Sequence, residues 1–200
     1  MTLDSTLILA VLITYLLGAI PFGLLISRWM TGKDPRQHGS GNIGATNAMR
    51  TGGKTVGLLT LLADILKGTL PVAIAVQLAQ TDEVIALIAI AAFLGHIFPV
   101  YLRFKGGKGV ATMYGVLIPW LLVPGLISFA VWFISFKLSR YVSLASILGG
   151  LALPIAAWAM GASQAALILC CALGLLMVGR HHSNIVRLIQ GKEARIEKKQ

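Results

Sequence analysis

The sequence is poor in charged residues and in cysteine. Only 12% of its 200 residues are Asp, Glu, Lys or Arg, whereas 56% are apolar. Soluble domains carry about 25% charged residues, so this composition excludes an ordinary soluble domain and indicates an integral membrane protein. The two cysteines, Cys170 and Cys171, are adjacent within an apolar run, which excludes a disulfide framework and offers no metal-ligand spacing.

Long apolar runs make up most of the chain. About 20 residues cross the hydrocarbon core as a helix, and the runs lack the alternation that is typical of barrel strands. We therefore predict an all-α integral membrane protein. Its predicted spans are Leu3–Ile26, Thr55–Ala79, Val84–Tyr101, the two arms of a hairpin within Val110–Leu138, Val142–Met160 and Ala162–Gly179.

Basic residues are distributed unevenly between the ends of these runs. All but one of the 17 Lys and Arg lie in Ser27–Lys54, Leu102–Gly109, Lys137–Tyr141 or the segment after Gly179. Lys and Arg in short loops stay in the cytoplasm, so the net charge of +10 reflects membrane topology and not nucleic-acid binding. The N-terminus is predicted outside and the C-terminus inside, which requires an odd number of spans.

The predicted number of spans depends on Val110–Leu138. A single helix over this range would expel a basic segment, whereas a hairpin broken at Pro119–Gly125 keeps every basic loop inside. Proline and glycine both disfavour a helix interior, so we predict the hairpin and seven transmembrane helices. Residues 1–191 are expected to form one transmembrane domain, and residues 192–200 a polar cytoplasmic tail that frays.

Three polar clusters fall on the predicted cytoplasmic side and therefore share one membrane surface. The first is Gly39–Asn47, which is rich in Gly, Ser, Thr and Asn and is followed by Arg50 and Lys54. Such a loop exposes backbone N–H groups and tolerates unusual backbone angles. With the following cations, it indicates a site for an anionic ligand that carries hydroxyl groups.

The second cluster runs from Gly95 to Gly109 and ends in Lys105-Gly106-Gly107-Lys108-Gly109. Glycines allow backbone amides to turn inward as an anion-binding concavity, and Lys108 lies where the next helix begins, at an electropositive terminus. An alternative is an anchor whose lysines contact lipid head groups. Because an anchor does not need three glycines, we favour a phosphate site.

The third cluster is Gly179–Leu188. If the last helix continues past Gly179, then His181, Asn184 and Arg187 or Leu188 share one face and present an imidazole, an amide and a guanidinium to one ligand. The alternative is that the arginines lie at the interface with their charges in water.

Ionisable residues also occur inside the apolar runs. His96 is expected to be hydrogen-bonded within the bundle. Asp64 and Lys67 are three apart in one span, so they can meet on one helix face, either as a functional pair or as a structural ion pair. A formal G-x-G-x-x-G match at Gly39–Gly44 is rejected, because the flanking membrane spans exclude the βαβ unit that this motif requires.

In these three ordered clusters, and over essentially its whole length, the chain resembles the bacterial acyl-phosphate:glycerol-3-phosphate acyltransferases. The resemblance implies an enzyme of the bacterial cytoplasmic (inner) membrane that opens phospholipid synthesis. It would transfer a fatty acyl group from acyl phosphate to the sn-1 hydroxyl of glycerol 3-phosphate, giving lysophosphatidic acid and phosphate. The resemblance implies no metal, no cofactor and no acyl-CoA.

The resemblance also assigns residues to the site. It implies a catalytic set of Ser40, Arg50, Lys108, His181 and Asn184. The substrate-binding set comprises Gly39, Gly41, Asn42, Thr46, Asn47, Lys105, Gly106, Gly107, Ser146 and the cationic Arg187.

The residue types suit this chemistry. Acyl phosphate is an activated anhydride, so the protein has mainly to position its reactants and stabilise charge. No histidine has an aspartate five residues later, which leaves the substrate's own phosphate as our preferred proton acceptor, with His181 and Asn184 orienting the substrate or stabilising an oxyanion. A transporter or channel for a phosphorylated anion and a non-catalytic scaffold remain the alternatives.

Overall fold

The computed structural model describes residues 5–196, and this part of the chain is helical without any β-strand. The all-α prediction is confirmed. The contacts between helices divide the chain into two compact units, Met1–Trp120 and Leu121–Gln200.

The described part of the first unit, from residue 5, contains six α-helices, of which α4 is central. They are α1 (Ser5–Ala19), α2 (Phe22–Thr31), α3 (Ala45–Gly52), α4 (Lys54–Gln77), α5 (Asp82–Ile97) and α6 (Val110–Leu117). Helix α4 contacts all five of the others, and α1 also packs along α5. Pro21 separates α1 from α2 because proline has no N–H to donate. Lys67 Nζ then donates to Ile20 O at this break, over 2.9 Å.

Glycine allows α1 and α5 to approach closely. A Cβ added at Gly18 would overlap Ala92 O, and one added at Gly95 would overlap Tyr15 O. Both obstacles are backbone atoms, which cannot rotate aside as a side chain can. Small residues at such crossings are the usual means of packing helices in a membrane, where lipid supplies no hydrophobic drive.

The second unit contains four helices, of which α8 is central. They are α7 (Leu122–Ser139), α8 (Val142–Ala159), α9 (Gln164–Arg180) and α10 (His182–Ile189). Helix α8 packs on α7 and α9, and Ser128 Oγ of α7 donates to Gly149 O across the α7–α8 contact, over 2.8 Å.

Five helical segments of the described chain are long and apolar enough to cross a membrane. They are Ser5–Thr31, Lys54–Gln77, Asp82–Leu102, Leu122–Ser139 and Val142–Ala159. Helices α9 and α10 qualify as a sixth span when they are taken together, with a bend of 56° between them. A break within Val110–Leu138 is present, since α6 ends at Leu117 and α7 begins at Leu122. It is shorter than the predicted Pro119–Gly125, because Pro124 and Gly125 lie in the first turn of α7, where proline is tolerated.

Two segments bear on the number of spans. Helix α6 has eight residues, or about 12 Å of axis, and is too short to cross a bilayer by itself. The last predicted span, Ala162–Gly179, corresponds to α9, which ends at Arg180. The condition that this helix continues through the third cluster is not met, because α10 starts at His182 in a new direction. The seven-span count and the orientation of the termini therefore stay predictions.

Candidate active site

The first cluster is a loop that is organised by the side chain of Asn47. This residue lies in the first turn of α3 and is 2% exposed. Its Nδ2 faces three backbone oxygens, Pro35 O at 2.7 Å, His38 O at 3.1 Å and Asn42 O at 2.8 Å. Its Oδ1 accepts from Ser40 N over 2.9 Å. Asn47 was expected to bind substrate, but both of its polar atoms are engaged within the loop.

The backbone of this loop requires glycine at two positions. Gly39 and Gly41 have φ of 60° and 71°, in the left-handed region that disfavours a Cβ. A Cβ on Gly39 would also overlap Asn47 Oδ1. The loop leaves Ser40 exposed and Thr46 half-buried.

The arginines around this loop differ in what they contact. Arg28 and Arg36 reach the carboxylate of Asp34 at 2.8 and 2.6 Å, and the Arg36 guanidinium, aided by Arg28, holds the pKa of Asp34 well below its usual range. Arg50 is exposed in the last turn of α3 and forms no ion pair with any residue in the range 5–196. Arg50 thus differs from Arg28 and Arg36, whose guanidinium groups are engaged by a carboxylate.

The glycine-rich loop Lys105–Gly109 lies directly on the C-terminal turn of α5. Gly107 N donates to His96 O over 3.2 Å. A Cβ on Gly106 would overlap His96 O, and one on Gly107 would overlap His96 Nε2. These two glycines are thus required by packing on α5, whatever the loop binds. The expectation that three glycines turn their amides toward an anion needs correction, because the Gly107 amide points to His96.

The two lysines of this loop have different surroundings. Lys105 is exposed and Lys108 is half-buried. Lys108 precedes Gly109, which has a φ of 85° and is the N-cap residue of α6. The lysine thus lies at a helix N-terminus, as the sequence predicted.

In the second unit, His181 occupies the junction between α9 and α10. It is 2% exposed, and its Nδ1 lies 2.8 Å from Met177 O. Because a carbonyl only accepts, Nδ1 carries the hydrogen, and in the neutral ring Nε2 is then an acceptor.

Asn184 and Arg187 share one face of α10 and meet at a residue that sequence analysis did not identify. Asn184 Nδ2 donates to Glu193 Oε1 over 2.6 Å, and Arg187 Nε donates to Glu193 Oε2 over 2.7 Å. Ser143 Oγ also donates to Oε1, over 2.7 Å. The other amide atom, Asn184 Oδ1, is buried and has no hydrogen-bond partner in the part of the chain that the structure describes.

Two opposing effects act on the pKa of the Glu193 carboxyl. Burial raises its pKa, but the hydrogen bonds from Ser143, Asn184 and Arg187 together with the Arg187 charge outweigh burial and leave the pKa below its ordinary value. Glu193 therefore stays ionised near neutral pH. Its signal in the sequence was weak, because it is one of two acids, with Glu197, in a tail of basic residues.

The tail was expected to fray, and its described part makes specific contacts. Besides the contacts of Glu193, Ile196 N donates to Arg140 O over 3.1 Å, and the Arg195 guanidinium lies 4.8 Å from the centre of the Tyr141 ring. Tail residues 197–200 lie outside the described range.

Ser146 was expected to line the substrate pocket. It is buried on α8, donates to Val142 O over 2.8 Å and accepts from Trp132 Nε1 over 3.2 Å. Its hydroxyl thus joins α7 to α8. Of the other predicted residues, the structure brings Ser40 and Asn47 together in the first unit, and Asn184 and Arg187 in the second.

Comparison with known proteins identifies the family. A family model described as glycerol-3-phosphate acyltransferase matches residues 8–191. The chain belongs to this family. The acyltransferase is 46% identical to the glycerol-3-phosphate acyltransferase of Allorhizobium ampelinum over 98% of this chain and 94% of the relative. It is 44% identical to that of Syntrophotalea carbinolica, over 93% and 95%.

Comparison with solved structures supports the same family. The acyltransferase is similar to the crystal structure of PlsY, an integral membrane glycerol 3-phosphate acyltransferase, in its glycerol 3-phosphate form. The TM-score is 0.92 at 41% identity, over 96% of both chains. The lysophosphatidic acid form of that protein gives 0.90 at 39% identity with the same coverage. The resemblance seen in the sequence is confirmed, and the chain is a membrane acyltransferase of phospholipid biosynthesis.

Proposed function

We propose that the acyltransferase transfers a fatty acyl group from acyl phosphate to the sn-1 hydroxyl of glycerol 3-phosphate, releasing lysophosphatidic acid and inorganic phosphate. The observation that carries this proposal is the similarity, over 96% of both chains, to a structure solved with the acceptor and with the product. The bilayer holds the acyl tails, and glycerol 3-phosphate enters from the cytoplasm.

The cations are assigned to the two phosphates. Arg50 binds phosphate oxygens in the paired geometry that a guanidinium offers, and Lys108 supplies a point charge. Arg187, whose Nε is held by Glu193, adds a further positive charge. Ser40 binds substrate from the exposed part of its loop and forms no covalent intermediate. Residues 1–191 act as one catalytic domain.

The chemistry of His181 and Asn184 follows from their hydrogen bonds. Glu193 is an acceptor and therefore holds the Asn184 NH₂ group, which leaves Oδ1 as the atom for substrate. An amide oxygen is an acceptor, which suits a hydroxyl hydrogen and does not suit an oxyanion. The His181 ring is held at the same junction by the hydrogen bond from Nδ1 to Met177 O. We therefore assign Asn184, together with His181, to orienting the glycerol hydroxyl groups.

The reaction then needs no protein base. The sn-1 oxygen attacks the acyl carbonyl carbon, the bond from that carbon to the phosphate oxygen breaks, and inorganic phosphate departs. A substrate phosphate oxygen takes the hydroxyl proton, and the protein contributes position and positive charge.

The membrane arrangement is part of the proposal. Seven membrane-embedded helices, an outside N-terminus and a cytoplasmic C-terminus place all three polar clusters on the inner side of the bacterial cytoplasmic membrane, since their loops carry the Lys and Arg.

The proposal is tested with purified protein in detergent, labelled glycerol 3-phosphate and acyl phosphate. Wild type should form lysophosphatidic acid, and Arg50→Ala, Lys108→Ala and Asn184→Ala should each lower the rate by about 100-fold, the order of loss for one charge-stabilising contact. Lys33→Ala removes an exposed cation near the first cluster and is the matched control, with an unchanged rate. Uptake of glycerol 3-phosphate into vesicles without product would contradict the proposal and favour a transporter.

A further inference from the structure

Three ionisable side chains form a buried cluster that has no part in the chemistry above. Asp64 and Lys67 of α4 are each 2% exposed, and His96 of α5 is 3% exposed. Lys67 Nζ lies 2.8 Å from Asp64 Oδ1, and His96 Nδ1 lies 3.6 Å from the same oxygen. All three residues lie within apolar helices of the first unit.

Asp64 and Lys67 together have a formal charge of zero, so His96 is not needed to neutralise the cluster. Asp64 and Lys67 neutralise each other, and Lys67 donates in addition to Ile20 O. A buried ion pair is costly unless its geometry is good and its remaining hydrogen-bonding capacity is used. The Asp64 carboxylate lies 3.6 Å from His96 Nδ1, beyond hydrogen-bond distance, so it acts on the ring through its charge.

The opposite edge of the His96 ring contacts the glycine-rich loop. Its Nε2 occupies the space that a Cβ of Gly107 would need. The backbone of the same histidine accepts from Gly107 N over 3.2 Å. His96 thus touches Gly107 through its ring and its carbonyl, and the residue after Gly107 is Lys108.

We propose that His96 is a positioning residue for this loop: Asp64 orients the imidazole, and the imidazole with the His96 carbonyl fixes Gly107 and hence Lys108. The inference rests on the proposed function of Lys108 as a phosphate ligand. It assigns the buried Asp64–Lys67 pair to the site through His96, as a support that never touches substrate.

The first test separates positioning from stability by steady-state kinetics. In His96→Gln and Asp64→Asn, the KM for one of the two phosphorylated substrates should rise about 10-fold or more, while the KM for the other stays unchanged. Thr60→Val is the matched control, since Thr60 is fully buried on the same helix and its hydroxyl donates to Val56 O. A purely structural role would reduce the number of active molecules, lowering kcat with both KM values intact, and that result overturns the inference.

The second test examines the contact itself. Gly107→Ala places a Cβ on His96 Nε2 and should impair kcat/KM severely, whereas His96→Ala removes the ring that this Cβ would meet. The double variant should therefore lose less activity than the product of the two single losses. Multiplicative losses would overturn the inference.

Direct binding keeps the inference separate from the proposed activity. Calorimetry with glycerol 3-phosphate and with a non-hydrolysable acyl phosphonate needs no turnover. If wild type transfers no acyl group but binds one of these ligands, and His96→Gln weakens that binding about 10-fold, the proposed function fails and the positioning role stands. Equal affinities of wild type and variant, or no binding by wild type, overturn the positioning role.

Discussion

At the scale of single residues, Asn47 and Glu193 each hold a segment of the chain in place. Asn47 closes the first loop from inside, and Glu193 ties the tail to α8 and α10. Neither residue has to touch substrate for its loss to affect catalysis, because each positions residues that are assigned to substrate.

Asn47→Ala removes the side-chain amide contacts that hold the first loop, to Ser40 N, Pro35 O, His38 O and Asn42 O. Each buried hydrogen bond contributes about 1 kcal/mol, so we expect a lower thermal unfolding midpoint and at least a 10-fold loss in kcat/KM. Differential scanning fluorimetry and the acyl-transfer assay measure the two effects. Gln37→Ala, at an exposed neighbouring position, should change neither. A normal midpoint for Asn47→Ala would refute the role of Asn47 in closing the loop.

Lowering the pH should release the tail from α8 and α10, because protonation of Glu193 weakens the contacts that hold it. Its pKa is lowered in the folded protein relative to 4.5, so its stabilising contribution is present above pH 4.5 and disappears as pH falls below 4.5 through the folded value. Hydrogen exchange at the Ile196 amide, after correction for the intrinsic pH dependence, should lose protection in that window and remain protected at pH 6 to 8. In Glu193→Gln the protection should already be weak at pH 7. Full protection of the Ile196 amide in Glu193→Gln would contradict the conclusion that an ionised Glu193 holds the tail.

Residue types and spacing were enough to locate the three polar clusters, since glycine, asparagine and lysine stand out between apolar runs. They were not enough to separate residues that contact substrate from residues that support them. Asn47 and Asn184 look alike in the sequence, and only the partners of their amide groups distinguish them. Glu193 escaped notice because its partners Ser143 and Arg187 lie on different helices.

At the scale of helices, small residues determine how closely the backbones approach. Gly18→Ala would drive a methyl group into Ala92 O at the α1–α5 contact. Overpacking costs about 1–3 kcal/mol, so the unfolding midpoint should fall by several degrees. Gly179→Ala is the matched control: no atom lies within 4 Å of its added Cβ, and alanine favours a helix. Equal midpoints for the two variants would contradict the close contact.

Apolar runs predicted the long helices to within a few residues. The span predicted as Thr55–Ala79 is α4, Lys54–Gln77, and the one predicted as Val142–Met160 is α8, Val142–Ala159. Hydropathy could not foresee the 56° bend after Arg180, because no proline occurs there. The short α6 did follow from the sequence, because the predicted break at Pro119 leaves an arm from Val110 that is too short to span.

At the scale of the whole molecule, the asymmetry of basic residues sets the expected orientation. On a background of Cys170→Ala and Cys171→Ala, we expect Gln80→Cys to react with a membrane-impermeant maleimide in intact cells. Lys33→Cys should react only after permeabilisation. Both positions are exposed, so a difference in labelling reports the side of the membrane. Labelling of Lys33→Cys in intact cells would reverse the proposed topology.

The central claim is that acyl phosphate and glycerol 3-phosphate are the two substrates of one site. It is tested most directly by the product balance of the purified enzyme, with acyl phosphate and acyl-CoA compared as donors. We expect one lysophosphatidic acid and one inorganic phosphate per turnover from acyl phosphate, and no product from acyl-CoA. Phosphate release without lysophosphatidic acid, or a faster reaction with acyl-CoA, would contradict the account.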